Sequence, residues 1–235
     1  MLADVQRNLW EAYQRAESRA PRAEKLIALE AFLDALLASP NTAWFPWARS
    51  IAEQVVDQGL DFIIRQPLFE RAVFPALAAG YREGLSGCAR WLTGLAQQLR
   101  HSPACLQHLK PQEATELALL RSAIRHDPAD LQSRLRLIER IAERLRYSLH
   151  ELPTGVLFGM DGATPEQCVE LEEELNEFCG LVLEEGMEPR FAELIQACRL
   201  HFPAYRDYLL NRERHGTYAE YLSQTRTNVG NQTPG

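Results

Sequence analysis

The segment TPEQCVELEEELNEFCGLVLEEG, residues 164–186, spells one complete helix with both of its ends. Thr164, Pro165 and Gln167 form the capping-box pattern of a helix start, and Gly186 is typical of the residue that follows a helix end. Apolar side chains recur at steps of three and four residues, which predicts one buried stripe. The stripe consists of Cys168, Leu171, Leu175, Phe178 and Val182.

The opposite face of this predicted helix carries carboxylates. They are Glu170, Glu173, Glu174 and Glu177. Residues 151–188 contain eleven of the chain's 32 Asp and Glu residues and no Lys or Arg, within a chain of net charge −7. Because carboxylates one helical turn apart repel each other by a few tenths of a kcal/mol, we expect a basic surface to lie against them.

That basic surface has two possible sources. The preceding segment, residues 128–151, predicts a long helix and is the part of the chain richest in arginine. Its arginines are Arg134, Arg136, Arg140, Arg144 and Arg146. An antiparallel pairing of the two helices would neutralise the glutamates within the chain, whereas an exposed acidic face would attract a basic partner protein. The sequence leaves both possibilities open.

The loop between the two predicted helices, residues 152–163, is unusually apolar. Its large apolar residues are Val156, Leu157, Phe158 and Met160. These side chains either pack beneath the helices or form an exposed adhesive patch. Apolar anchors beside concentrated negative charge suit a protein-binding surface, so we predict that the loop and the four glutamates together bind a partner.

Helical periodicity covers nearly the whole chain, and no segment alternates with the period of two that strands require. We therefore expect an all-α protein, a helical-repeat-like array or bundle of roughly ten to twelve helices. A single domain is predicted over residues 1–223, with a possible internal boundary near 102–111. The polar residues 224–235 predict a disordered tail.

One junction pattern, His-x-Pro-Ala, occurs three times, at residues 101–104, 126–129 and 201–204. A histidine in the last turn of one helix and a proline at the start of the next satisfy both helix ends. We therefore predict a boundary between two helices at each of the three positions.

Composition restricts the compartment and the partners. Five cysteines without a CxxC pair argue against a disulfide framework or a zinc site, and favour reduced thiols in a cytoplasmic protein. No segment resembles a secretory signal or a membrane span. A pI near 5.5 and the absence of an uncompensated basic run disfavour nucleic-acid binding.

Signatures of catalysis are also missing. There is no HExxH, Glu-x-x-His, GxSxG or phosphate-binding glycine loop. His126-Asp127 spells the dyad of metal-dependent HD phosphohydrolases, but its place at a predicted helix end favours a capping role. We predict no cofactor and no metal. An all-α enzyme that uses carboxylates or a metal between helices is the alternative.

Three segments share a spacing of small, large and proline residues. In the first of them, Ala28, Phe32, Ala35 and Pro40 resemble the small, large, small and proline positions in and after the second helix of the tetratricopeptide repeat. Looser matches occur in Leu120, Ala123 and Pro128, and in Ile195, Cys198 and Pro203. The first-helix pattern is absent and the spacing is not 34 residues. The resemblance implies paired helices that bind proteins, and we predict a non-catalytic adaptor, chaperone or immunity-type inhibitor of a basic partner.

The three histidines outside the junction pattern, and the aromatic group Trp44, Phe45 and Trp47, carry weaker signals. Aromatic side chains clustered on a helix most often belong to a core, and a groove is the other possibility. Isolated histidines predict structural roles. Neither feature indicates a reaction.

Overall fold

The computed structural model describes residues 2–110, 115–152 and 163–230, with side chains to residue 224. Within these ranges every regular element is helical and no strand occurs, which confirms the all-α prediction. Taking residues 66–82 as one continuous helix, the described ranges contain 12 helices, as predicted. No helix of this part of the chain combines the length and apolarity needed to cross a bilayer.

The chain divides into two compact units, Met1–Ser133 (unit 1) and Arg134–Gly235 (unit 2). The predicted internal boundary at residues 102–111 lies inside unit 1. The single domain predicted for residues 1–223 stays a prediction.

The described residues of unit 1 form nine α-helices and one π-helical turn. They are α1 (Asp4–Arg19), α2 (Arg22–Leu37), α3 (Asn41–Val56), α4 (Gln66–Leu68), the π-turn (Phe69–Val73), α5 (Phe74–Arg82), α6 (Cys88–Gly94), α7 (Ala96–Arg100), α8 (Pro103–Leu106) and α9 (Glu116–His126). Residues 60–65 form no helix. The helix begins at Gln66, where Pro67 in the first turn needs no hydrogen-bond acceptor.

Aromatic side chains join α1, α2 and α3 into one core. The Trp10 ring lies 5.1 Å from Phe32, 5.0 Å from Trp47 and 5.3 Å from Phe62, measured between ring centroids. Rings at these distances and at tilted or edge-on angles stabilise one another beyond the burial of their area. Trp44 is 1% exposed, so the core interpretation is correct for this member of the aromatic group.

Unit 1 also contains a largely buried ion-pair network around Arg90. The Arg90 guanidinium donates to both carboxylate oxygens of Asp57, at 3.1 and 2.6 Å, and also to Asp130. Trp91 donates its indole N–H to Asp57 over 2.8 Å. The Asp130 carboxylate is 2% exposed and also accepts the backbone N–H and the hydroxyl of Ser133. Each buried charge is thus paired and hydrogen-bonded, as burial requires.

The part of unit 2 that the structure describes contains four α-helices. They are α10 (Leu131–Glu151, which begins in the last residues of unit 1), α11 (Pro165–Glu184), α12 (Glu188–Leu210) and α13 (Tyr218–Gly230). A short 3₁₀ turn, Arg212–Arg214, separates α12 from α13. Helix α13 continues to Gly230, so residues 224–230 of the predicted disordered tail are helical, and residues 231–235 lie outside the described residues.

Two of the three predicted helix boundaries need correction. Pro203 lies inside α12, so the boundary predicted at 201–204 does not exist. A proline in a helix interior costs about 3 kcal/mol, and here the neighbouring Phe202 and Tyr205 are buried at 0% and 3% exposure, which offsets that cost. At 126–129 two helices do meet, but α10 starts at Leu131 rather than at Pro128. Pro103 opens α8 as predicted.

Candidate partner-binding surface

The acidic helix α11 is fixed at both ends by its own sequence. The Thr164 hydroxyl accepts the backbone N–H of Gln167 at 3.3 Å, and the Gln167 side chain accepts the backbone N–H of Thr164 at 2.8 Å. At the other end Gly186 has a φ of +65°, and the backbone N–H of Met187 donates to the Val182 carbonyl over 2.9 Å. The capping box and the glycine-terminated helix end are confirmed, and the latter is a Schellman motif.

The predicted apolar stripe of α11 is buried in full, with exposures between 0% and 4% for Cys168, Leu171, Leu175, Phe178 and Val182. Helix α12 covers part of it, and the Phe178 and Phe191 rings meet edge to face with centroids 5.2 Å apart. Because the stripe determines which side of α11 faces inward, it also determines which carboxylates face outward.

One row of carboxylates on unit 2 faces arginines of the same unit. Glu174 lies 3.1 Å from the Arg144 guanidinium, and Glu185 pairs with Arg134. The arginine that comes later in α10 pairs with the glutamate that comes earlier in α11, so the two helices run antiparallel. Glu172 is paired with Arg206 of α12 at 3.0 Å. The predicted pairing of the acidic helix with the arginine-rich helix is therefore present.

The prediction that all four glutamates face away from the protein is wrong for Glu174. Its side chain is only 8% exposed because it sits beside Leu175 at the edge of the buried stripe and against Arg144. Glu177 is half-buried and has contacts of its own. The remaining two, Glu170 and Glu173, are exposed.

The outward side of α11 combines unpaired negative charge with apolar surface. Within the described residues, neither Glu170 nor Glu173 forms an ion pair or hydrogen bond. Val169 is 40% exposed and Leu183 66% exposed on the same outer side. We name the surface formed by Val169, Glu170, Glu173 and Leu183 the outer face of α11. It carries no basic side chain.

The first turn of α11 adds to the negative charge of the outer face. Glu166 in the first turn is fully exposed, and hydrogen bonds from its own backbone N–H and from the Thr164 hydroxyl hold the pKa of its carboxyl below the usual range. It therefore stays charged at neutral pH.

The apolar half of the predicted site cannot be compared with the structure. Val156, Leu157, Phe158 and Met160 lie in residues 153–162, outside the described residues. Their role in partner binding stays a prediction.

The histidines and cysteines of the described chain do not converge on one point. His126 Nδ1 donates to the Ser122 carbonyl at 2.8 Å, while Asp127 accepts the Ser86 hydroxyl at 2.8 Å, so the two members of the HD dyad serve different partners. Over residues 2–110, 115–152 and 163–230, no group of three His, Cys, Asp or Glu side chains is placed to hold a metal ion.

All five cysteines are free thiols, and four of them are buried. Burial raises the pKa of Cys88 and of Cys168 to about 11 and that of Cys198 to about 12, and it raises the pKa of Cys105 as well. These thiols are therefore protonated at neutral pH, and a protonated thiol is a poor nucleophile. Cys179 is the half-exposed member of the set.

Comparison with known proteins finds no family model, no curated protein and no solved structure that matches this chain. The resemblance to the tetratricopeptide repeat stays a prediction.

Proposed function

We propose that the protein is a non-catalytic binding module, and that the outer face of α11 docks a partner protein with a basic surface. The observation that carries the proposal is the division of carboxylates on one helix. Those turned toward α10 and α12 are matched by arginines, whereas Glu170 and Glu173 are exposed without a basic partner in the described chain.

Physical chemistry explains why such a surface suits binding. Unpaired surface charges of one sign raise the local concentration of an oppositely charged partner and speed its association. Exposed apolar side chains at Val169 and Leu183 offer contacts that become buried once the partner has arrived. The apolar loop residues Phe158 and Met160 would extend the same surface, as the sequence predicts.

The reduced and mostly buried thiols support a reducing compartment such as the cytoplasm for this interaction. The partner is defined by its chemistry: a protein whose docking surface is rich in Lys and Arg. An adaptor, a chaperone and an inhibitor of a basic protein all meet this description.

Affinity capture from a native lysate at low salt tests the proposal with three baits. They are the wild type, E170Q/E173Q, and a control E24Q/E83Q that removes the same charge from exposed positions of unit 1. We expect a basic protein to be retained by the wild type and the control and to be lost from E170Q/E173Q. Equal capture of the same proteins by all three baits would contradict the assignment of the outer face.

A further inference from the structure

Unit 1 contains two neighbouring cavities with contrasting linings. The first, of about 410 Å³, is walled mainly by apolar side chains, among them Phe45, Phe74 and Ala78. The second, of about 600 Å³, is lined by basic and polar side chains. Arg82 and His108 line both. We call them the apolar cavity and the cationic cavity.

The cationic cavity gathers positive charge with no carboxylate among the described residues that line it. Its basic lining residues are Arg82, His108, Lys110, Arg125 and His126. Arg82 and Arg125 are exposed, and no ion pair to either occurs in the part of the chain that the structure describes. The described lining of this cavity therefore offers two guanidinium groups, Arg82 and Arg125, that are not neutralised by a carboxylate of the described chain.

His126 is held in a fixed orientation on the wall of the cationic cavity. Its Nδ1 donates to the Ser122 carbonyl at 2.8 Å, which leaves Nε2 for another partner. Gly84, with a φ of +72°, brings its backbone so close that a Cβ there would lie 2.9 Å from the imidazole ring. Because glycine has no Cβ, it allows this close approach. The backbone at Gly84 in turn blocks rotation of the His126 ring toward it.

The apolar cavity contains a buried polar group that is poorly satisfied. Ser102 is 1% exposed and lines the cavity, and its hydroxyl meets only the neighbouring Cys105 thiol, with no well-formed hydrogen bond. A thiol is a weak hydrogen-bonding group, and burying a hydroxyl without a strong partner is costly, so a bound molecule would complete the hydrogen bonding here.

The helix between α4 and α5 is widened at this cavity. The π-turn Phe69–Val73 precedes Pro75, whose ring lacks an N–H and would collide with the carbonyl four residues earlier in a regular helix. The wider turn accommodates the proline, and it sets Glu70 and Phe74 on the cavity wall. π-turns of this kind are frequent at binding sites.

From these observations we infer that unit 1 binds a small amphipathic anion, with its phosphate or carboxylate between Arg82, Arg125 and His126 and its apolar group in the apolar cavity. Guanidinium groups suit both oxyanions because they donate two parallel hydrogen bonds. The cavity volumes fall within the range of about 300–1,000 Å³ that is usual for small-molecule sites. The inference goes beyond the proposed function and does not depend on the outer face of α11.

Isothermal titration calorimetry of the full chain with three probes tests the inference. They are phenyl phosphate, which carries both chemical features, and inorganic phosphate and phenol, which carry one each. We expect phenyl phosphate to bind at one site, and to bind at least about tenfold more tightly than either of the other two, since each half of the site contributes separately.

Variants identify the two halves. R82A/R125A should weaken phenyl phosphate at least about tenfold, since each guanidinium supplies a charge-assisted hydrogen bond. R22A/R100A removes the same charge from exposed positions of unit 1 and should leave the affinity unchanged. A104L introduces a larger side chain at an exposed position on the wall of the apolar cavity and should weaken phenyl phosphate while leaving inorganic phosphate unaffected.

Circular dichroism of each variant checks that it is folded. If R82A/R125A does not fold, the single variant R125A takes its place. The inference is overturned if phenyl phosphate shows no saturable binding at millimolar concentration, or if folded R82A/R125A binds it as the wild type does. It is also overturned if A104L weakens inorganic phosphate as much as phenyl phosphate, because the two cavities would then not act as separate halves.

Discussion

Replacing Glu174 with Gln separates the structural carboxylate of α11 from the exposed ones. The substitution keeps the shape of the side chain and removes a charge that is 8% exposed and lies 3.1 Å from Arg144. At an effective dielectric constant of 20, the gross attraction across that distance is about 5 kcal/mol. The cost of desolvating the buried carboxylate cancels most of it, and Arg144, whose side chain is 46% exposed, regains water when its partner is neutralised. We expect a net loss of about 1–2 kcal/mol in the free energy of unfolding.

Exposed positions on the same helix provide the comparison. E170Q/E173Q removes two charges that are open to solvent and relieves repulsion toward Glu174 and Glu177, each one turn away. Its effect on the free energy of unfolding should stay within about 0.5 kcal/mol.

Urea unfolding followed by two probes measures the difference. All four tryptophans lie in unit 1, so their fluorescence reports that unit, while far-ultraviolet circular dichroism reports both units. E174Q should lower the midpoint of the circular dichroism transition that includes unit 2 by about 0.5–1.5 M urea. If E174Q is as stable as the wild type, or if E170Q/E173Q loses as much stability, the division into inner and outer carboxylates is wrong.

Three further predictions concern other parts of the chain. R90A leaves the buried Asp130 and the partly buried Asp57 carboxylates of unit 1 without their partner. It should cost about 3 kcal/mol by tryptophan-monitored unfolding, whereas R100A at an exposed position should cost less than about 0.5 kcal/mol; equal effects would contradict the ion-pair network. In the native protein at pH 7.5, Ellman's reagent should modify Cys179 quickly and the four buried thiols only on unfolding, since burial keeps those four protonated and covered. Rapid reaction of all five thiols in the native protein would contradict this. F158A/M160A should mainly speed dissociation of the captured partner in surface plasmon resonance, because apolar anchors act after the two proteins have met. A slower association with unchanged dissociation would argue against an anchoring role for these two residues.

Local chemistry made the helix ends of α11 predictable. Thr164, Gln167 and Gly186 act on the backbone within their own turn, so their roles follow from spacing alone. The buried stripe was equally predictable because a period of 3.6 residues fixes which side chains share a face. Pro203 was not, since its place inside α12 depends on the packing of Phe202 and Tyr205 against other helices.

The candidate site was predictable only in part, for the same physical reason. Periodicity places Glu170, Glu173 and Glu174 away from the stripe, but α10 covers part of that side, and Glu174 therefore faces Arg144. The cationic cavity of unit 1 had no sequence signature at all. Its basic residues come from segments up to about 45 positions apart, and only the packing of α5 and α9 with residues 108–110 brings them together.

The association rate with the captured partner tests the account's central claim most directly. Surface plasmon resonance would compare the wild type, E170Q/E173Q and the control E24Q/E83Q at about 20 mM and at about 500 mM salt, where screening lengths differ several-fold. We predict that E170Q/E173Q associates about tenfold more slowly than the wild type at low salt, that the difference shrinks at high salt, and that the control behaves as the wild type at both. Equal association rates for E170Q/E173Q and the wild type at low salt would show that the outer face of α11 does not steer the partner.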